Sequence, residues 1–183
     1  SNDGKCSFNF IKKIDQFEVV ERLSFIKNLN KNEFNNLHKI DILSKYWQLI
    51  QKNESLKVKK NFGFLKTHSA LVSINKNFFT SATLSKGYIY IIRDPRDVAI
   101  SWSKHSGLNI NDSINFIINK NSCNAWVDNN NLYKSQKKIL SFISSWDENV
   151  ISWTMNDLNI PKLIVKFEDL IYNKEKIILK IIK

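Results

Sequence analysis

Tyr88-Ile89-Tyr90-Ile91-Ile92-Arg93-Asp94-Pro95-Arg96-Asp97 is the stretch on which the fold turns. Its first half is an unbroken run of β-branched and aromatic residues, which predicts a strand that wants burial on both faces. The run ends abruptly in charge. Asp94 suits the N-cap of a helix, Pro95 suits the first helical position where its missing N–H costs nothing, and Asp97 sets negative charge at the positive end of the helix. A helix is therefore expected from Pro95 to about Lys104. A strand that hands its chain directly to a capped helix is a building unit of α/β layers.

The same pattern extends outward in both directions. Lys162 to Phe167 reads as a second buried strand around Leu163-Ile164-Val165, and Phe62 to Lys66 as a short third one. Helical spacing covers Phe17 to Lys27 and Asn32 to Gln51, the latter through Phe34, Leu37, Ile40, Leu43, Trp47 and Ile50. Ile139, Ile143, Trp146, Val150 and Trp153 form one apolar stripe that Ile160 and Pro161 help to stop. A last helix is expected from Lys174 to Lys183. Strands alternating with helices predict an α/β fold with a mostly parallel sheet. With no internal repeat and no Pro-rich or Gly-rich linker, residues 1–183 read as a single domain.

Composition bounds the function more loosely. The 183 residues are 43% hydrophobic and 12% aromatic, enough for a core, which argues against a disordered chain. A net charge of +11 admits an anionic substrate or a polyanionic partner. A nucleic-acid-binding module is disfavoured, because the lysines spread over every segment and the tryptophans fall on helical stripes rather than on one basic face. Lys12, Lys13, Asp15, Glu18, Glu21 and Arg22 interrupt any signal-peptide core, and no run approaches the ~18 apolar residues of a membrane span. Cys6 and Cys123 lie far apart without Cys-x-x-Cys spacing, so neither a zinc site nor a disulfide framework is indicated and a cytoplasmic setting is expected. The chain opens with Ser1 and its methionine is Met155, which fits a processed chain or a piece of a longer one.

In open α/β sheets ligands bind beyond the carboxyl ends of strands. After Leu65 come Lys66, Thr67 and His68. After Ile92 come Arg93 and the capped helix, where a guanidinium beside free backbone N–H groups makes an anion site. Ser101, two turns on, offers a hydroxyl, with Asp97 and His105 four residues to either side. Taken singly, each has a plainer role: a surface ion pair for Arg93, a solvated loop residue for His68, a helix-surface hydroxyl for Ser101.

Taken in order, the runs Leu65-Lys66-Thr67-His68, Tyr90 to Ser101, Ser145-Trp146-Asp147-Glu148-Asn149-Val150 and Val165-Lys166-Phe167-Glu168-Asp169-Leu170 resemble the sulfotransferase family. That family uses 3′-phosphoadenosine 5′-phosphosulfate as sulfuryl donor. The resemblance implies a three-layer P-loop-type fold, a hydroxyl or amine of a small molecule as acceptor, and no metal. It assigns Arg93 and Ser101 to the donor's 3′-phosphate, His68 to the general base, Lys66 to steadying the sulfuryl group and Phe167 to the adenine, where relatives often carry Tyr. A base of this type needs little tuning, since imidazole titrates near ~6.5.

The departures from the family are also informative. Its phosphate loop, of the type Pro-Lys-Ser-Gly-Thr, has no counterpart in this sequence, whose glycines are Gly4, Gly63, Gly87 and Gly107. The resemblance thus implies an incomplete sheet lacking the central first strand, a later basic segment lying beyond Lys183, and a piece inactive on its own. A catalytically inert relative that keeps the fold as a binding scaffold is the alternative.

Overall fold

The computed structural model describes residues 15–18, 31–57, 63–124 and 140–182. In chain order they hold β1 (Asp15–Gln16), α1 (Lys31–Asn35), α2 (Ile40–Leu43), a 3₁₀ turn (Ser44–Tyr46), α3 (Trp47–Lys57) and β2 (Leu65–Lys66). A hairpin of β3 (Ser73–Ile74) and β4 (Asn77–Phe78) follows, then β5 (Tyr88–Ile92), α4 (Pro95–Ser106) and α5 (Ile110–Ile118). The rest is β6 (Cys123–Asn124), β7 (Ser141–Phe142), α6 (Trp146–Thr154), β8 (Lys162–Lys166), α7 (Phe167–Tyr172) and α8 (Lys174–Ile182).

Two of the strand pairs are parallel. β5 runs beside β8 in the register Tyr88↔Lys162 through Ile92↔Lys166, and β1 runs beside β2 in the register Asp15↔Leu65, Gln16↔Lys66. The other two, β3 with β4 and β6 with β7, are antiparallel. The pairing of β5 starts at a close approach: the Tyr88 N–H donates to the Pro161 carbonyl at 3.0 Å, and a Cβ on Gly87 would lie 3.2 Å from that same oxygen. Glycine avoids the crowding.

The inner face of β5 rests on a buried indole. The Trp153 ring meets Tyr88 edge-on at 4.9 Å and stacks with Tyr90 at 6.0 Å. Burial pushes the Tyr90 phenol up to about 12, and its hydroxyl donates to Asn149 Oδ1 at 2.9 Å. The outer face differs from the expectation of burial on both sides. Ile89 is 39% and Ile91 50% exposed, so the strand follows the ordinary period-two alternation. Behind Trp153 the core continues through Phe79 to Phe17 and Trp47, in edge-on contacts of 5.3–6.2 Å that suit the ring quadrupoles.

Helix α4 begins as its sequence dictates. Asp94 accepts the Arg96 N–H at 2.9 Å, Pro95 follows it, and Gly107, at φ 71°, closes the far end in the left-handed conformation. The Arg96 guanidinium also forks onto the Asp94 carboxylate at 3.0 and 2.6 Å, and this pairing, reinforced by the backbone bond, holds Asp94 at about 2.

Elsewhere the boundaries move. The helix expected from Asn32 to Gln51 is broken into α1, α2, the 3₁₀ turn and α3. The Asn36 side chain bonds back to the Asn32 carbonyl at 2.8 Å, and Lys39 is extended. Its apolar stripe survives, with Leu37, Leu43, Trp47 and Ile50 buried. Phe17 and Glu18 follow a strand rather than open a helix; the remainder of that expected helix, like Cys6, Phe62 and Ile139, lies outside the described residues. The stripe running to Trp153 is not one helix either, because Ser144 at φ 63° separates β7 from α6, and Phe167 starts a helix instead of ending a strand. β1 and the β3–β4 hairpin have no counterpart in the sequence reading. The hairpin turns on Asn75 and Lys76, both at positive φ as a type I′ turn requires.

Two outcomes test this packing. Replacing Trp153 with Ala removes the support of β5 and is expected to cost ~3–5 kcal/mol in denaturant unfolding, against about 1 kcal/mol for Tyr90→Phe. Because folding lowers the Asp94 pKa from 3.8, its cap contributes above about pH 4 and is lost as pH falls toward 2. Carboxyl-carbon NMR should place the Asp94 midpoint near 2 in the wild type and higher in Arg96→Ala.

Candidate functional site

The in-register parallel pairing of β5 with β8 delivers the residues after each strand side by side. Arg93 leaves β5 and Phe167 leaves β8, and the guanidinium lies over the Phe167 ring, 4.6 Å from its centroid. A cation on an aromatic face is held by the ring quadrupole, by ~0.5–2 kcal/mol depending on solvent access. Two further bonds lock the joint. The Trp146 indole N–H donates to the Arg93 carbonyl at 3.1 Å, and the Asp94 N–H donates to Glu168 Oε1 at 3.2 Å.

Arg93 is then left with donors to spare. Its Nη2 stands 3.8 Å from Asp97 Oδ2, an ion pair too long for a hydrogen bond, and its buried Nε has no acceptor among the described residues. A guanidinium carries five N–H donors, and a buried one without an acceptor costs ~1–3 kcal/mol unless something supplies it. The N-terminal end of α4 adds the positive end of its dipole beside it. Asp97 and Ser101 lie four residues apart on α4, and Ser101 is exposed there. No hydrogen bond or ion pair joins Arg93 to Ser101, so the structure brings Arg93 and Phe167 together and Ser101 with neither. His105 is likewise exposed one turn further on, its ring 5.8 Å from that of Trp102.

Lys66 and His68 belong to the other parallel pair. β2 ends at Lys66, whose carbonyl accepts the Phe17 N–H at 2.6 Å, and the next turn carries His68 with an exposed side chain. On either side of it, Thr67 and Ser69 both donate hydroxyl bonds to Oε1 of the buried Glu18, the second at 3.1 Å. The Ser69 carbonyl accepts the Trp153 indole N–H at 3.1 Å. The same indole supports Tyr88 and Tyr90, so a single buried side chain ties the His68 turn to the strand that ends in Arg93.

The residues present fit a phosphorylated nucleotide. Arg93 offers unpaired donors at a helix N-terminus, and Phe167 offers a ring, though Arg93 already covers one of its faces. Sequence reasoning did not find Glu18, which is 1% exposed, or the Glu168 bond to the Asp94 backbone, because neither belongs to a periodic pattern. Among the described residues no group of three or more His, Cys, Asp or Glu is placed to hold a metal, and no helix is long and apolar enough to cross a membrane.

Comparison with protein families gives one match. The model described as the sulfotransferase domain matches residues 6–183, which carries the similarity back through the amino-terminal segment and not only from Phe62 onward. No curated protein matches the chain.

Proposed function

Since the chain belongs to the sulfotransferase domain family, we propose that the intact protein of which it is part transfers a sulfuryl group from 3′-phosphoadenosine 5′-phosphosulfate to a hydroxyl or amine of a small acceptor, within a three-layer P-loop-type fold. The observation that carries this reading is the Arg93 joint: a guanidinium with a buried, unpaired Nε beside a capped helix N-terminus, stacked on the ring of Phe167.

In this reading Arg93 takes the 3′-phosphate by charge-assisted bonds, with the Ser101 hydroxyl as a second donor along α4. Phe167 presents its remaining ring surface and edge to the adenine. The nucleotide supplies an activated sulfuryl group, with the nucleoside bisphosphate as leaving group. His68 removes the proton from the acceptor oxygen or nitrogen as the bond to sulfur forms. The Lys66 ammonium steadies the charge on the transferring sulfuryl oxygens. Base catalysis of this kind is worth ~10²–10⁴ in rate.

Turnover measured with sulfur-labelled donor over a panel of phenols, alcohols, sugars and amines tests the assignment. His68→Ala is expected to lower turnover ~10²–10⁴-fold while nucleotide binding stays intact, and full turnover in that variant contradicts the base. Arg93→Ala should raise the donor KM on the order of ten-fold or more, the loss of a charged hydrogen bond. An unchanged donor KM removes Arg93 from the site.

A further inference from the structure

We infer that Glu18 is the positioning residue of His68: its buried carboxylate clamps the Thr67-His68-Ser69 turn from below and so fixes where the imidazole stands. The catalytic consequence rests on His68 being the base of the proposed transfer; the structural claim does not.

β1 and β2 are parallel and in register, so the chain emerges from both on the same side, Glu18 shortly after Gln16 and Thr67 directly after Lys66. Glu18 is 1% exposed, a rare environment for a carboxylate, and its donors meet Oε1, while the buried Oε2 has none among the described residues. The donors here are the hydroxyls of Thr67 and Ser69, the two residues that flank His68. Both hydroxyls donate to the same carboxylate oxygen, Oε1. The Thr67 oxygen is then free to accept, and it takes the Ser69 N–H at 3.0 Å.

The clamp is completed from above by Trp153, which donates to the Ser69 carbonyl at 3.1 Å, and by the Ala70 N–H, which donates to the Phe142 carbonyl at 2.7 Å. His68 is therefore an exposed side chain on a backbone held at both neighbours. A hydrophobic residue would fill the space of Glu18 without serving either hydroxyl. The carboxylate serves the turn.

The experiment uses the full 183-residue chain with isotope-labelled histidine, whose three ring signals belong to His38, His68 and His105, the His68 signal being assigned by its loss in His68→Asn. Glu18→Ala is expected to shift and broaden the His68 ring signals while those of His105, on α4, stay in place. Glu18→Gln keeps an amide oxygen that accepts both hydroxyls, and is expected to leave His68 close to wild type. Superimposable His68 signals in wild type and Glu18→Ala overturn the inference, as does Glu18→Gln behaving like Glu18→Ala. Should Glu18→Ala fail to fold, Thr67→Val removes one of the donors and must shift His68 but not His105; an unmoved His68 overturns the inference there too. In a turnover assay of the intact protein, Glu18→Ala should lower kcat on the order of ten-fold or more at an unchanged donor KM, with recovery in Glu18→Gln. A shifted His68 signal with undiminished kcat supports the clamp and removes His68 as the base, so the two claims fail separately.

Discussion

The structure hangs on the in-register parallel pairing of β5 with β8. Parallel strands carry their chains forward on the same side, so the register that sets Ile92 opposite Lys166 also sets Arg93 beside Phe167 and Asp94 beside Glu168. A shift of one residue would turn Tyr88 and Tyr90 away from Trp153 and separate the guanidinium from its ring. The close approach at Gly87 and Pro161 fixes that register at the other end of the strand. Packing and site geometry thus have one cause, and it is a contact between residues more than seventy positions apart in sequence.

Trp153 extends this constraint to the rest of the site. Its ring supports β5, while its indole N–H holds the Ser69 carbonyl next to His68. An aromatic residue with one polar atom can do both, since the ring needs burial and the N–H needs a partner. The strand that ends in Arg93 and the turn that carries His68 are therefore braced by one side chain.

What the sequence disclosed follows the range of the interactions involved. β5, the capped start of α4 and β8 were legible because a β-branched run and an Asp-Pro cap act within a few residues. Arg93 stood out as a candidate anion ligand for the same reason, while its contact with Phe167 was not legible, since it arises from strand pairing. The helix over residues 32–51 showed a true apolar stripe but concealed its breaks, because the Asn36 side chain bonds to the Asn32 side chain and competes for the Asn32 carbonyl, and Lys39 turns extended, neither of which shows in the spacing of apolar residues. The β3–β4 turn escaped notice since Lys76 is an unusual occupant of a positive-φ position. Glu18 carried no signal at all. Its charge resembled a solvated residue, and only the folded chain shows it buried beneath the Thr67 and Ser69 hydroxyls.

The central claim is that the joint between β5 and β8 is built for the 3′-phosphate of a nucleotide. Calorimetric titration of the wild-type protein with adenosine 3′,5′-bisphosphate and, separately, with adenosine 5′-phosphate addresses it directly, because the ligands differ only in that group. The bisphosphate is expected to bind on the order of ten-fold or more tightly, the contribution of a charge-assisted bond to Arg93. Equal affinities for the two nucleotides would contradict it.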